Sequence, residues 1–188
     1  INVGNIVSRH PGVAPIEVTI AVSEVRPWSA RDQSHLDMML ADIRRCPWLR
    51  LRNTIIKSNS GRDFSSAAAC LLDFATDSDD HDLVMVRNRS AYGPMKENWY
   101  LSYIAQLDRH SNTGMVGSTI NFSGYPLSES TSCNGHSTHI QTYVYLARWA
   151  TFKRFVHDFP GSTAETHREA VENGEIALSR KIMAHGQK

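Results

Sequence analysis

The chain has 188 residues, of which 41% are hydrophobic and 21% charged, so it is long enough for one well-filled domain and too short for two ordinary ones. Twenty Lys and Arg residues against nineteen Asp and Glu residues give a formal charge of +1, which excludes binding to nucleic acid or an anionic membrane by charge alone. We expect a single domain over 1–188. Because the chain starts at Ile1 and not at methionine, we also expect it to be one module of a longer polypeptide with additional domains.

The sequence predicts neither a membrane span nor a disulfide framework. No run approaches the roughly 20 apolar residues that cross a bilayer. The three cysteines, Cys46, Cys70 and Cys133, are odd in number and widely spaced. This pattern is typical of reduced thiols, so we expect a cytoplasmic protein.

The first half of the chain alternates between predicted strands and helices. Alternating apolar residues predict a strand over 16–22, and helical spacing after Ser29, a good N-cap, predicts a helix. A second strand over 51–57 leads through a polar turn into a helix over 64–75. The run 83–86 is apolar on both faces, which predicts a central strand covered by helices on each side.

The second half continues the alternation less regularly. We predict a helix over 99–107, strands over 115–120 and 139–146, a loop rich in Ser, Thr and Gly over 122–138, and helices over 149–156 and 165–184. Strands that alternate with helices predict an α/β layered domain, whose central sheet is mostly parallel and is flanked by helices on both faces.

Polar residues follow the first two predicted strands, at the edge of the sheet where α/β domains bind ligands. Ser23 and Glu24 follow the first strand, and Asn59 to Asp63 follow the second. The helix N-terminus and the guanidinium of Arg62 would both favour a phosphate group there. The alternative is that Asp63 caps its helix and Arg62 is solvated.

Arg87-Asn88-Arg89-Ser90 follows the predicted central strand. Two guanidinium groups at a strand end indicate an anionic partner. That partner is either a bound substrate or the acidic turn over 77–82, which would pair with these arginines as a structural salt bridge.

These segments together resemble the nucleotide-sugar glycosyltransferases of the GT-A fold, with the closest likeness to the rhamnan-synthesis-like and polysaccharide-biosynthesis branch. The resemblance begins near Val18 and rests on the order of Asn59-Ser60-Gly61-Arg62-Asp63, a helix, the strand 82–86 and Asn88-Arg89-Ser90-Ala91-Tyr92-Gly93-Pro94. It continues with Trp99, 116–120, His139-Ile140-Gln141-Thr142-Tyr143 and 174–180. If 18–22 is the family's second strand, residues 1–7 form the first strand or it lies outside the chain.

The resemblance implies transfer of a sugar from a UDP- or dTDP-linked donor to a glycan or polysaccharide acceptor. The donor-binding residues that it implies are Ser23, Glu24, Asn59, Gly61, Arg62, Asp63, Arg87, Asn88 and Ser90. This fold usually carries an Asp-x-Asp motif for Mn²⁺ or Mg²⁺ after the central strand, where this chain has Asn88-Arg89-Ser90 and no carboxylate. Arg89 or Arg87 would then neutralise the leaving diphosphate in place of the metal.

By the same resemblance, Glu175 occupies the position of the catalytic base of inverting members, which takes a proton from the acceptor hydroxyl. We therefore favour an inverting enzyme, and the alternative for Glu175 is a solvated helix residue. Tyr92, His139 and Gln141 are the predicted acceptor-binding residues. His139 and Gln141 would alternate on the same side of their strand and point into the acceptor cleft.

Three other interpretations remain open. A non-catalytic nucleotide- or glycan-binding module is the alternative to an enzyme. Cys133, His136 and His139 are spaced as zinc ligands of a hydrolase, or form a coincidental group. Asp77-Ser78-Asp79 spells the metal motif but precedes its strand, so we expect an acidic surface turn at the opposite edge of the sheet.

Overall fold

The structure is a computed structural model that describes residues 3–121 and 138–187. The elements, in chain order, are α1 (Val3–Ser8), β1 (Ile16–Glu24), α2 (Ala30–Arg45), β2 (Leu49–Ser58), α3 (Arg62–Phe74), β3 (Leu83–Arg87), α4 (Trp99–Leu107), β4 (Met115–Gly117), β5 (Ile120–Asn121), β6 (His139–Ile140), β7 (Val144–Arg148), α5 (Trp149–Phe152), a 3₁₀ turn (Val156–Asp158), α6 (His167–Glu169), a π-helical segment (Ala170–Ile176) and α7 (Ala177–Ala184). The alternative in which residues 1–7 form a strand is wrong, because Val3–Ser8 is helical.

β1, α2 and β2 form a parallel β-α-β unit, with Ile16 opposite Leu49 at one end and Glu24 opposite Ser58 at the other. A capping box starts α2: the Ser29 hydroxyl accepts from the Asp32 N–H, and the Asp32 carboxylate accepts from the Ser29 N–H. The apolar side of α2 packs on one face of the pair, and the buried residues of this cluster are Val3, Ile20, Leu36, Leu40, Ile43, Cys46 and Leu49.

The other strands form a three-stranded sheet of order β3-β7-β4, in which β7 is antiparallel to both neighbours. Tyr145, Leu146 and Ala147 of β7 are at most 1% exposed, so β7 is the central strand of this sheet and β3 lies at its edge. The prediction that placed 83–86 at the centre is therefore wrong for this three-stranded sheet, because β7 pairs with a strand on each side and β3 pairs only with β7 within the described residues.

The two predicted strands of the second half are each interrupted. Residues 115–120 divide into β4 and β5, and residues 139–146 divide into β6 and β7 around a turn at 141–143. Gly117 ends β4 where a side chain cannot fit, since a Cβ there would lie 2.1 Å from Cγ2 of Ile140. The short β5 and β6 pair with each other as a separate antiparallel ribbon.

Helices cover both faces of the strands, as predicted. α4 packs on one face of the three-stranded sheet through Tyr100 and Leu107 against Val116 and Leu146. The other face packs against α3, α5 and the helical run 167–184, and its buried cluster includes Phe64, Leu71, Tyr145, Phe152, Leu178 and Ile182. The mixed α/β class is thus confirmed, although only β1 and β2 are parallel partners within 3–121 and 138–187. None of the helices in these ranges is long and apolar enough to cross a membrane.

Candidate functional site

A cleft of about 1620 Å³ separates β1 from β3, and every residue of both strands lines it. Its polar lining includes most of the predicted site residues: Ser23, Glu24, Asn59, Arg62, Asp63, Arg87, Asn88, Arg89, Ser90 and Glu175. These residues end or follow β1, β2 and β3 or come from the π-helical segment. Most therefore lie at the carboxyl ends of strands, where α/β domains bind ligands. The cleft also extends to the start of β1, where Asp77 and Asp82 of the acidic turn line it.

Three contacts connect the turns around this cleft. The Asn88 amide donates to the Asp63 carboxylate at 3.4 Å, and the Asn88 N–H donates to the carbonyl of Tyr143 at 3.0 Å. The neighbouring Thr142 hydroxyl donates to Oε1 of Glu175 at 3.0 Å. The turn after β2, the turn after β3 and the catalytic-base candidate are thereby held close together.

The turn between β2 and α3 is shaped by packing. Gly61 has a φ of +71°, and a Cβ there would lie 1.9 Å from the carbonyl oxygen of Ser162. Gly61 is buried and does not line the cleft in the described structure. The positive φ and the close carbonyl oxygen therefore explain why this position needs a glycine, and no contact with a diphosphate is required. Arg62 is exposed on the cleft, where its Nε also donates to the carbonyl of Glu165 at 3.3 Å.

Asp63 does not cap α3, because the N-cap of that helix is Gly61 and no side chain accepts a hydrogen bond there. The capping alternative for Asp63 is therefore wrong. Its carboxylate lies in the first helical turn, where the helix dipole favours a negative charge, and contacts Asn88.

Arg87 is half-buried and organises the loop that follows β3. Its guanidinium donates to the carbonyl oxygens of Ala91, at 2.8 Å, and Gly93. Burial lowers the pKa of Arg87 from its ordinary value, partly offset by the nearby Tyr103. Arg87 therefore has backbone partners in addition to its place on the cleft wall, whereas Arg89 is exposed on the cleft.

The acidic turn over 77–82 pairs with other cations. Asp77 contacts Arg52 at 2.7 Å, beside Glu17 near the start of β1, and Asp80 contacts Lys153. The predicted salt bridge from this turn to Arg87 or Arg89 is therefore not formed. The turn lies by the beginning of β1, away from the strand ends that carry Glu24, as predicted for an acidic surface turn.

Glu175 lies in the π-helical segment and is not a solvated helix residue, since its side chain is only 18% exposed. Oε2 is 3.4 Å from Nε2 of His139, whose side chain is 1% exposed. Oε1 accepts from the Thr142 hydroxyl at 3.0 Å and from the Thr142 N–H at 3.4 Å. π-Helical turns inside α-helices are frequent at functional sites.

The burial of His139 does not fit its predicted contact with an acceptor, because its side chain is 1% exposed and does not line the cleft. The predicted alternation over 139–142 is wrong, since β6 ends at Ile140 and both His139 and Thr142 reach Glu175. Gln141 and Tyr92 do not line the cleft within the described ranges, and Tyr92 is 90% exposed. Their predicted roles in acceptor binding remain predictions.

Phe64 fixes the π-helical segment to α3, a contact that sequence reasoning missed. The ring lies between two glycines: a Cβ at Gly174 would be 2.4 Å from Cε2 and Cζ of Phe64, and one at Gly161 would be 2.9 Å from Cγ. Gly174 directly precedes Glu175. The lack of a side chain at position 174 therefore sets how close Glu175 approaches the sheet.

The residues after β3 do not fit a divalent metal of the kind implied by the resemblance. Mg²⁺ and Mn²⁺ prefer several hard anionic oxygens, whereas Asn88-Arg89-Ser90 offers amide, guanidinium and hydroxyl groups, with Asp63 as the adjoining carboxylate. The described ranges contain no group of three His, Cys, Asp or Glu side chains arranged to hold a metal. Cys133 and His136 of the zinc hypothesis lie outside the described residues.

No family model matches the chain, and the searches of curated proteins and solved structures also found no match. The site is therefore interpreted from its own chemistry. A partly buried carboxylate on the cleft wall can accept a proton, and the guanidinium groups of Arg62 and Arg89 can neutralise an anion in the same cleft.

Proposed function

We propose that this chain is a glycosyltransferase domain that transfers a sugar from a UDP- or dTDP-linked donor to a glycan or polysaccharide acceptor. One observation carries the proposal: Glu175, Arg62 and Arg89 line the same cleft, which adjoins the ends of β1, β2 and β3. The cleft thus offers a general base together with cations for a diphosphate, the two requirements of an inverting transfer.

The strand order supports the same proposal. β1 pairs only with β2, and β3 pairs only with β7, within the residues that the structure describes. Both strands line the cleft, so it lies where two sheets present edges that have no strand partner among the described residues. This mixed α/β arrangement, with helices covering the strands, is compatible with the GT-A fold that the sequence resembles.

In the proposed reaction, Glu175 accepts the proton of the acceptor hydroxyl as its oxygen bonds to the anomeric carbon of the donor sugar. The bond between that carbon and the diphosphate oxygen breaks, and the nucleoside diphosphate leaves with the electron pair. Arg89 and Arg62 stabilise the negative charge that develops on the diphosphate. No step is assigned to a metal, because the residues after β3 do not fit one.

Isothermal titration with UDP, dTDP, GDP and CMP, each with and without Mn²⁺, tests the donor site. We expect UDP or dTDP to bind, and Arg89→Ala to weaken that binding about 10- to 100-fold, the size of a lost charge-assisted hydrogen bond. Arg154→Ala is the matched control, since Arg154 is exposed and does not line the cleft. Failure of the parent protein to bind any of these nucleotides would exclude the proposed donor site.

The second candidate function is a non-catalytic nucleotide- or glycan-binding module. The observation that favours it is the replacement of the expected Asp-x-Asp motif by Asn88-Arg89-Ser90. A donor-hydrolysis and transfer assay on the parent protein, Glu175→Ala and Arg89→Ala separates the two functions. Turnover that Glu175→Ala abolishes supports the enzyme, whereas nucleotide binding without turnover of any donor supports the module.

A further inference from the structure

The surroundings of Glu175 contain a set of contacts that general-base chemistry alone does not require. In the segment 139–142, the hydroxyl and the N–H of Thr142 both donate to Oε1 of Glu175, and Nε2 of His139 lies beside Oε2. The same segment is also fixed to α7, because the Ile140 N–H donates to Oγ of Ser179 at 3.1 Å. Glu175 is thus held by a segment that is itself anchored.

We propose that Thr142 and His139 are positioning residues that hold the Glu175 carboxylate in one orientation toward the cleft. The inference rests on the proposed role of Glu175 as the base. Both Thr142 donors bind Oε1, and Nε2 of His139 lies 3.4 Å from Oε2. Because an ionised carboxylate accepts about four hydrogen bonds, Oε2 keeps an acceptor direction for the hydroxyl group that loses its proton.

The arrangement matters for rate because a general base must lie within hydrogen-bond reach of its proton donor. A glutamate without fixed contacts samples several rotamers, and only some of them direct an oxygen at the acceptor. A displacement of about 1 Å at a reacting group can reduce the rate about 100-fold. Both His139 and Thr142 are buried, so their own positions are fixed by packing.

Substitutions of Thr142 separate positioning from packing. Thr142→Val keeps the branched shape and removes the hydroxyl, and we expect kcat to fall about 10- to 100-fold with KM changed less than about threefold. Thr142→Ser restores the hydroxyl and should recover most of the rate. Thr151→Val, at a buried threonine of α5 away from the cleft, is the control that should leave kcat unchanged.

A second measurement does not depend on turnover. The imidazole ¹⁵N resonances of His139 report its contact with the carboxylate, with Glu175→Gln as the reference for loss of the charge. We expect Thr142→Val to shift these resonances toward those of Glu175→Gln, and Thr142→Ser and Thr151→Val to leave them near their original positions. A Thr142→Val protein that folds with unchanged His139 resonances would overturn the positioning role.

The two proposals can fail separately. If the parent protein neither binds a nucleotide nor turns over a donor, the proposed function fails and the ¹⁵N spectra alone decide whether Thr142 and His139 orient Glu175. If turnover is present and Thr142→Val retains full kcat, the positioning role fails and the proposed function stands.

Discussion

Gly174 should tolerate no side chain, although it lies in a helical run where alanine is normally the better residue. A Cβ at position 174 would be 2.4 Å from two ring atoms of Phe64, whereas carbon atoms in contact are about 3.5–4.0 Å apart. Phe64 is 5% exposed, and its other side meets Gly161, so the ring has little room to retreat. Gly174→Ala must therefore displace either the ring or the π-helical segment by about 1 Å.

The net effect is the difference between two opposing terms. Overpacking a filled core costs about 1–3 kcal/mol, and alanine gains up to about 1 kcal/mol over glycine in a helix. We expect Gly174→Ala to lower the free energy of unfolding by about 0.5–2 kcal/mol in urea denaturation, with an unchanged m-value. Gly4→Ala is the matched control: Gly4 lies in α1 with nothing within 4 Å of a Cβ, so its unfolding free energy should rise or stay level.

A smaller residue at position 64 should partly relieve the clash. Phe64→Leu combined with Gly174→Ala is expected to be less destabilising than the sum of the two single changes, by at least about 0.5 kcal/mol. The packing argument is refuted if Gly174→Ala is as stable as the Gly4→Ala control, or if the two changes at 64 and 174 add without coupling.

Two further predictions concern stability at low pH and thiol reactivity. Burial raises the pKa of Asp73, but hydrogen bonds from Thr19, Asn53 and Arg52 outweigh this effect and hold the pKa below its ordinary value. The ionised Asp73 carboxylate therefore stabilises the folded state above about pH 3.8, and this stabilisation is lost as the pH falls through the lowered pKa. Asp73→Asn should lower the unfolding free energy by about 1–2 kcal/mol at pH 7, and urea denaturation should show this difference shrinking toward pH 2.5; a difference that grows on acidification contradicts the assignment. Burial raises the pKa of Cys70 to about 12, so we expect mass spectrometry to find it unalkylated by iodoacetamide in the native protein at pH 8 and alkylated in urea, and rapid native labelling would contradict this.

The sequence predicts the β1-α2-β2 unit well because its signals are local. Alternation over 16–22 and the N-cap Ser29 each act within a few residues, and the structure extends the strand by only two residues to Glu24. The second half is less predictable because its strand partners are distant in sequence. The antiparallel direction of β7 follows from its pairing with β3, about sixty residues earlier, and no local pattern encodes that choice.

The candidate site likewise contains some residues that local sequence signals predict and others that depend on the tertiary structure. Asn59, Arg62 and the segment 87–90 could be predicted because each lies at the end of a strand or in the turn after it, a position that α/β domains use for ligand binding. Thr142 could not, because its role depends on a turn at 141–143 that interrupts the expected alternation. The sequence offers one indirect signal: a catalytic carboxylate in a partly buried site needs hydrogen-bond donors, and the segment 139–143, which is predicted to lie at the cleft, contains them.

The backbone of the cleft also favours the kind of ligand that we propose. β1 and β3 each turn an edge without a strand partner toward it within the described ranges, so peptide N–H and C=O groups line both walls. Such groups require hydrogen-bond partners when water is displaced, and an unpaired one costs about 1–3 kcal/mol. A lipid chain would leave them unpaired, whereas a nucleotide sugar carries hydroxyl, carbonyl and phosphate oxygens along its length. The free strand edges therefore select for a polar, elongated ligand, and the guanidinium groups of Arg62 and Arg89 favour an anionic one.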